Sequence, residues 1–196
     1  MPLVHILDLG NVLIAHEEGL FYERVRERGR AGAPVVEVVN RHLEELAVDI
    51  GGDFDQLHPR LVQDLGLTMS LAELRLAWND IFTPIGEMIE LAAAMPRPRY
   101  LLSTTNEPHV TWLREHYGYV FDLFDHCFLT CEIGLRKPDL ALFRHAESVT
   151  QQPPERHVFV DDREENVAGA RAAGWHAFQF AGVEDCRRRL AELAGR

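Results

Sequence analysis

The 196-residue sequence is poor in cysteine, in basic residues and in long apolar runs. Its three cysteines are an odd number and provide no disulfide framework. The sequence has 20 Lys and Arg and 31 Asp and Glu, so its formal charge is −11. This negative charge argues against a nucleic-acid partner and against binding to anionic membranes. No apolar run approaches the ~20 residues that a membrane span needs. We therefore expect a soluble cytoplasmic protein, monomeric or weakly homodimeric.

Several sequence signals are also missing. The first residues have neither a basic region nor a long apolar stretch, so we expect no secretory signal peptide. A P-loop and a Gly-x-Gly-x-x-Gly signature are both absent, which removes the main support for a nucleotide-binding fold. Cys127 and Cys131 have three residues between them and no second pair follows, so a zinc site is not expected.

Short apolar runs alternate with helical patterns along the chain. The runs expected to be buried strands cover residues 3–7, 100–102, 157–160 and 175–180. Helical patterns cover 108–117, 138–148 and 164–173, and a loop is expected between the first two of them. Such alternation predicts an α/β fold with a Rossmann-like parallel sheet core and helices on both faces.

About 90 residues separate the first two predicted strands, far more than a ~30-residue crossover requires. Amphipathic patterns lie over 21–28, 35–48 and 71–82, and a further helix is expected to start at Thr83-Pro84 and run to Met95. Ser70 and Glu73 form a capping-box pattern at the start of the third amphipathic pattern. We therefore expect residues 15–82 to form an inserted α-helical cap on a core of residues 1–14 and 83–196.

Trp78 and Phe82 are four residues apart on one predicted helix. We interpret them as packing residues.

Four polar segments follow or interrupt the apolar runs. They are Asp8-Leu9-Gly10-Asn11, Ser103-Thr104-Thr105-Asn106, Lys137-Pro138 and Asp161-Asp162. The first and last follow buried strands, at the sheet edge where open α/β folds bind ligands. The glycine of the first segment lets backbone amides approach an anion closely. The hydroxyls of the second precede a helix N-terminus, which favours negative charge.

Together these side chains suit a hard cation and a phosphate. Mg²⁺ is bound in proteins by few carboxylates, several waters and the substrate phosphate. Asp8 and Asp162 could supply the carboxylates, with Asp161 beside them and the Gly10 carbonyl as a third oxygen. Lys137 would offset charge between nucleophile and phosphate. The carboxylate of Asp8 could attack phosphorus directly and form an aspartyl-phosphate.

The four segments, in this order and with an insertion after the first, resemble the motifs of the haloacid dehalogenase (HAD) superfamily. The opening Asp-Leu-Gly-Asn-Val is similar to a bacterial branch of small sugar-phosphate phosphatases, the α-D-glucose-1-phosphate phosphatase-like branch. The resemblance implies a HAD-like fold with a helical cap. It also implies a Mg²⁺-dependent phosphatase that hydrolyses a small phosphate monoester, such as a sugar phosphate, through an aspartyl-phosphate on Asp8.

The resemblance also implies a role for each site residue. The cation ligands would be the nucleophile Asp8, the Gly10 carbonyl, Asp162 as the main acid and Asp161 as a second acid. Ser103 would bind the phosphate through its hydroxyl, and Lys137 would hold the transferring phosphoryl group. Thr104 and Asn106 are candidates for substrate contact, although capping and turn roles suit them as well.

Gly10 departs from the family pattern. Most phosphatases of the superfamily have an Asp two residues after the nucleophile, which protonates the leaving oxygen, a contribution of ~10²–10⁴-fold. Glycine cannot do this. Among the nearby residues His16 and Glu17, we rank His16 first as the replacement, because the ordinary pKa of histidine is near neutral pH.

Two other functions stay open at this point. Dehalogenases of 2-haloacids also lack the second Asp, but they attack carbon without Mg²⁺ and carry a Tyr where this chain has Gly10. Activity that survives EDTA would favour that class. The third hypothesis is a non-catalytic regulator that binds a phosphorylated metabolite on the same scaffold.

Overall fold

The computed structural model describes residues 3–195. Its strands are β1 (Val4–Leu7), β2 (Ile14–His16), β3 (Phe82–Pro84), β4 (Arg99–Ser103), β5 (His126–Leu129), β6 (His157–Asp161) and β7 (His176–Gln179). Its helices are α1 (Glu18–Glu27), α2 (Val35–Leu46), α3 (Leu57–Leu65), α4 (Leu71–Asn79), α5 (Gly86–Ala94), α6 (Glu107–Phe121), α7 (Thr130–Ile133), α8 (Leu140–Thr150), α9 (Glu164–Ala172) and α10 (Val183–Ala194). Short 3₁₀ turns lie at Val48–Ile50, Phe54–Gln56 and Pro154–Arg156.

Five parallel strands form the main sheet in the order β5-β4-β1-β6-β7. All four residues of β1 are buried, as expected for a central strand covered on both faces. Leu7 belongs to the cluster that α5, α6 and α10 complete on one face. Ile6 belongs to the cluster that α8 and α9 complete on the other. The predicted Rossmann-like α/β fold is therefore confirmed.

Some predicted elements differ from those observed. Strand β5 occupies the segment expected to be a loop; it is a four-residue edge strand that starts on an exposed histidine, too short for its pattern to stand out. Thr83 and Pro84 do not start a helix but lie in β3, because a proline without an N–H fits an edge strand as well as a first helical turn. Helix α4 ends at Asn79, so Phe82 is not on it, and α8 starts two residues after Pro138.

The long insertion between β1 and β4 has its own apolar cluster. Its buried members include Phe21 of α1, Val39 of α2, Leu61 of α3 and Leu74 of α4. The capping box predicted before α4 is present. The chain leaves and rejoins the core through the antiparallel pair β2–β3, and the proposed cap boundaries, after residue 14 and before residue 83, fall inside this pair. None of the helices within residues 3–195 is long and apolar enough to cross a membrane.

Gly169 of α9 lies against the loop that carries Lys137. A Cβ there would stand 2.8 Å from both the carbonyl oxygen and the Cβ of Pro138, and 3.1 Å from the ring of Phe143. We expect Gly169→Ala to cost roughly 1–3 kcal/mol, because backbone atoms would have to shift. This would lower the thermal unfolding midpoint by about 2–4 °C per kcal/mol.

Gly118→Ala is the matched control for this prediction, since a Cβ at that helical glycine would meet nothing within 4 Å. Its midpoint should equal or slightly exceed that of the wild type, as alanine favours helix. An unchanged midpoint in Gly169→Ala would contradict the tight packing of α9 on the Lys137 loop.

Candidate active site

The pairing of β1 with β6 brings two acids together at one sheet edge. Leu7 is in register with Val160, and the Asp8 amide donates to the Val160 carbonyl oxygen at 2.9 Å. Asp8 and Asp161 are therefore neighbours at the carboxyl ends of adjacent central strands. Both side chains are buried, so their charges need partners.

Lys137 supplies that partner. Its Nζ lies 2.8 Å from Asp8 Oδ1 and 2.6 Å from Asp161 Oδ2, and it donates to the Leu102 carbonyl oxygen at 3.2 Å. Two carboxylates and one ammonium leave an excess of one negative charge when all three are ionised. Lys137 needs only one of the two carboxylates as its charge partner, and the negative charge of the second is in excess.

The excess charge and the burial shift the pKa values of this triad. Burial raises the pKa of the Asp8 carboxyl to about 7, and the Asp161 carboxylate adds to the rise, whereas Lys137 opposes it. Burial alone would lower the pKa of Lys137, but the charges of Asp8 and Asp161 outweigh it and raise that pKa above the ordinary value. The lysine therefore stays protonated at neutral pH.

Asp161 is held on both of its oxygens. While Oδ2 accepts from Lys137, Oδ1 accepts from the backbone amide of Arg163 and from Asn166 Nδ2, each at 2.9 Å. The structure thus places Asp161 as the residue that orients Lys137. Its predicted part in cation binding remains a prediction, with its carboxylate close to the other two acids.

Asp8, Asp161 and Asp162 offer carboxylate oxygens that all lie within 4.8 Å of one another. Asn11 Nδ2 donates to Asp162 Oδ2 at 3.0 Å and fixes that carboxylate beside the first motif. Among the residues that the structure describes, Asp8 Oδ2 and Asp162 Oδ1 receive no hydrogen bond. Oxygen atoms of this kind are the ligands of hard cations such as Mg²⁺.

Asp8 and Asp162 line a cavity of about 870 Å³. Besides the acids Asp8 and Asp162, its lining includes Gly10, Lys137 and Thr104. Positively and negatively charged side chains therefore line one concave surface, and ligands usually bind at such surfaces.

His16 lies over Gly10. A Cβ built on Gly10 would stand 3.2 Å from Cε1 and 3.3 Å from Nδ1 of the His16 ring, so the ring occupies the space beside residue 10. Its Nε2 is 3.5 Å from Glu18 Oε1. The hydrogen bond with Glu18 raises the pKa of His16 above the ordinary value against the effect of partial burial, and the charges of Asp162 and Asp8 add to the rise. The ring is therefore protonated over more of the neutral range than an ordinary histidine.

Three polar residues at or just after the end of β4 have different surroundings. Ser103 is buried and lines a second, smaller cavity, while Thr104 lines both cavities. The side chain of Asn106 makes hydrogen bonds with the protein. Its Oδ1 accepts from the amide of His109 and from Trp78 Nε1, and its Nδ2 lies next to His109 Nδ1. It caps α6, which is one of the roles expected for it, and its part in substrate contact remains a prediction.

Two residues of the site were missing from the sequence prediction. Asn11 lies inside the first motif, and its contact with Asp162, 151 positions away, has no local signal. Glu18 was passed over for its neighbour Glu17, because the sequence alone does not tell which of two adjacent acids faces His16 at the start of α1.

Comparison with known families identifies the class of protein. The family model of the haloacid dehalogenase-like hydrolases matches residues 6–174. The chain therefore belongs to the haloacid dehalogenase-like hydrolase family, which confirms the resemblance seen in the four polar segments.

Curated relatives match only part of the chain. The drimenol cyclase drtB of Aspergillus calidoustus is 40% identical over 73 residues, 37% of this chain and 14% of that protein. The sesquiterpene phosphatase astK of Aspergillus oryzae is 37% identical over 75 residues, which is 38% of each chain. The matched regions span well under half the length of these relatives.

Solved structures share the fold over nearly the whole chain. A HAD family enzyme of Bacteroides thetaiotaomicron, in complex with magnesium and inorganic phosphate, has a TM-score of 0.78 at 22% identity, covering 91% of this chain and 94% of that chain. A HAD-like hydrolase of Porphyromonas gingivalis has a TM-score of 0.81 at 23% identity, covering 97% and 98%. The L-2-haloacid dehalogenase of Xanthobacter autotrophicus has a TM-score of 0.65 at 20% identity, covering 97% and 83%.

The raised pKa of Asp8 makes its charge a cost to stability. The ordinary pKa is 3.8 and the folded value is about 7, so the folded state holds the proton more tightly and stability falls as pH rises through this window. We expect Asp8→Asn, measured at pH 8 in EDTA, to unfold several degrees above the wild type, at roughly 2–4 °C per kcal/mol. The difference should shrink toward pH 5.

The control for this prediction is Asp122→Asn, which changes an exposed acid at the end of α6. Its unfolding temperature should follow the wild type at both pH values. If Asp8→Asn and wild type unfold at the same temperature at pH 8, the buried charge is not the cost that we infer.

Proposed function

We propose that this protein is a Mg²⁺-dependent phosphatase that hydrolyses a small phosphate monoester through an aspartyl-phosphate on Asp8. The observation that carries the proposal is the buried Asp8 carboxylate, paired with Lys137 and set beside Asp162 at the edge of a parallel sheet. The partial match to a sesquiterpene phosphatase supports phosphate ester chemistry.

The donor atoms fit a magnesium ion. Asp8, Asp162 and the Gly10 carbonyl would hold it, with Asp161 close by. When bound, the ion would neutralise charge that develops on the transferring phosphoryl oxygens. A cation would also lower the pKa of Asp8 and keep it ionised for attack.

In the first half-reaction, a carboxylate oxygen of Asp8 attacks phosphorus, and the bond from phosphorus to the ester oxygen breaks. The leaving oxygen takes a proton from His16, so an alcohol departs. Lys137 and the hydroxyl of Ser103 stabilise the phosphoryl oxygens, and Thr104 lines the same space.

In the second half-reaction, a water attacks phosphorus, and the bond between phosphorus and the Asp8 oxygen breaks. His16, now neutral, accepts a proton from that water. Inorganic phosphate leaves, and both Asp8 and His16 return to their starting states.

The function is tested with p-nitrophenyl phosphate and a panel of phosphorylated metabolites, with Mg²⁺ and then with EDTA. We expect turnover that EDTA abolishes, and a loss of about 10³-fold or more in Asp8→Asn, because the nucleophile is removed. Asp122→Asn is again the control and should retain activity.

Equal turnover by Asp8→Asn and wild type would overturn the assignment of the nucleophile. Release of halide from a 2-haloacid in EDTA would instead favour the dehalogenase reaction. Binding of phosphorylated metabolites without turnover of any ester would favour a regulator.

The proton donor is tested through the leaving group. His16→Ala should lower kcat/KM, which reports the first half-reaction, by ~10²–10⁴-fold for an alkyl phosphate, whose alkoxide needs a proton. For p-nitrophenyl phosphate the loss should be far smaller, because nitrophenolate leaves without one. The ratio of kcat/KM for the alkyl phosphate to kcat/KM for p-nitrophenyl phosphate distinguishes loss of proton donation from a general loss of folding, which would lower both values equally.

His176→Ala changes an exposed histidine on β7 and serves as the control. It should leave both rates at the wild-type level. An equal loss on both substrates in His16→Ala would show that His16 supports the site without donating the proton.

A further inference from the structure

A second cavity of about 180 Å³ adjoins the carboxylate site. Gly10, His16, Glu18, Asp49 and Thr104 line both cavities, so the two meet where the phosphate and its proton donor are proposed to lie. Leu9 and Ser103 also line the smaller one. The alcohol part of a phosphate ester bound at Asp8 would therefore have access to this space past His16.

Away from the shared residues, the lining of the smaller cavity is mostly apolar. This apolar part is formed by Trp78, Ile81 and Phe82 from the insertion and by Ile14 and Leu113 from the core. These five side chains are of the kind that excludes water and contacts hydrocarbon. Trp78 and Phe82 thus form cavity walls besides the packing role predicted for them.

Three residues in this part of the lining join their polar atoms in hydrogen bonds to one another. Trp78 Nε1 donates to Asn106 Oδ1 at 3.2 Å, Asn106 Nδ2 lies 3.1 Å from His109 Nδ1, and His109 Nε2 lies 3.1 Å from the Trp78 carbonyl oxygen. Burial lowers the pKa of His109 to about 3, so its ring is neutral and completes this set with one donor and one acceptor.

The ring of His109 is also enclosed by aromatic neighbours. The Trp78 ring stacks on it with centroids 4.6 Å apart, and the Phe82 ring meets it edge-on at 4.8 Å. Sugar hydroxyls brought to this part of the cavity would lose water and compete for hydrogen bonds that are already made. Burying such a group without a partner costs about 1–3 kcal/mol each.

We propose, resting on the phosphatase function above, that the smaller cavity selects phosphate esters of apolar alcohols, with a hydrocarbon chain next to the phosphate. The smaller cavity has the volume of about six water molecules in the liquid. It therefore has room for the first few carbons of the hydrocarbon chain. A sugar, the leaving group that the family resemblance implies, fits this lining poorly.

The test compares methyl phosphate, propyl phosphate, 3-methylbutyl phosphate and α-D-glucose 1-phosphate with the wild-type protein and Mg²⁺. We expect kcat/KM to rise about threefold to fourfold for each enclosed methylene up to the five-carbon ester. It should be at least tenfold lower for glucose 1-phosphate than for 3-methylbutyl phosphate. This series needs no variant and does not depend on how a variant folds.

Phe82→Ala removes one wall of the cavity. It should reduce the ratio of kcat/KM for 3-methylbutyl phosphate over methyl phosphate by about tenfold or more, the effect of losing several methylene contacts. The matched control is Leu76→Ala, an apolar truncation at a side chain of α4 that is exposed to solvent. The control should keep the wild-type ratio.

The outcomes separate this inference from the function on which it rests. If no phosphate ester in the series turns over, the phosphatase function fails and the inference fails with it. If methyl phosphate turns over but longer chains bring no gain, or if glucose 1-phosphate is the best substrate, the phosphatase function stands and the apolar leaving group is overturned.

Discussion

The ammonium of Lys137, held between Asp8 and Asp161, is the interaction on which the rest of the site depends. It joins the ends of β1 and β6 and also donates to the end of β4, so three neighbouring strands share one buried cation. Because buried charges are tolerated only when they are paired, this contact fixes where the loop after α7 must run. The packing of Pro138 against α9 holds that loop in place.

The core and the insertion make separate contributions around this contact. The core supplies the acids, the lysine and Ser103. The insertion supplies Glu18, which holds His16, and the aromatic walls of the smaller cavity. His16 itself is on β2, whose neighbouring backbone is tied to the core, since the Ile85 amide donates to the Leu13 carbonyl oxygen. The ring therefore stays beside Gly10, next to the edge of the main sheet.

Local patterns were enough to predict the parallel sheet and the four polar segments, because a buried run such as that before Asp8 has few other interpretations. Local patterns were insufficient where the same residues are compatible with two kinds of secondary structure. Thr83-Pro84 fits a helix start and an edge strand equally well, and β5 is too short to have a pattern. Contacts between distant positions, such as Asn11 with Asp162, depend on strand register, which no local rule supplies.

Strands β2 and β3 run side by side at the base of the insertion, with Ala15 opposite Thr83. Paired strands are about 4.7–4.9 Å apart, so the two ends of a segment of more than sixty residues nearly meet. A segment anchored in this way can be lengthened, shortened or exchanged for another without changing the path of any strand in the sheet. Changes in the insertion can thus reshape the walls around the site while the acids and Lys137 keep their positions.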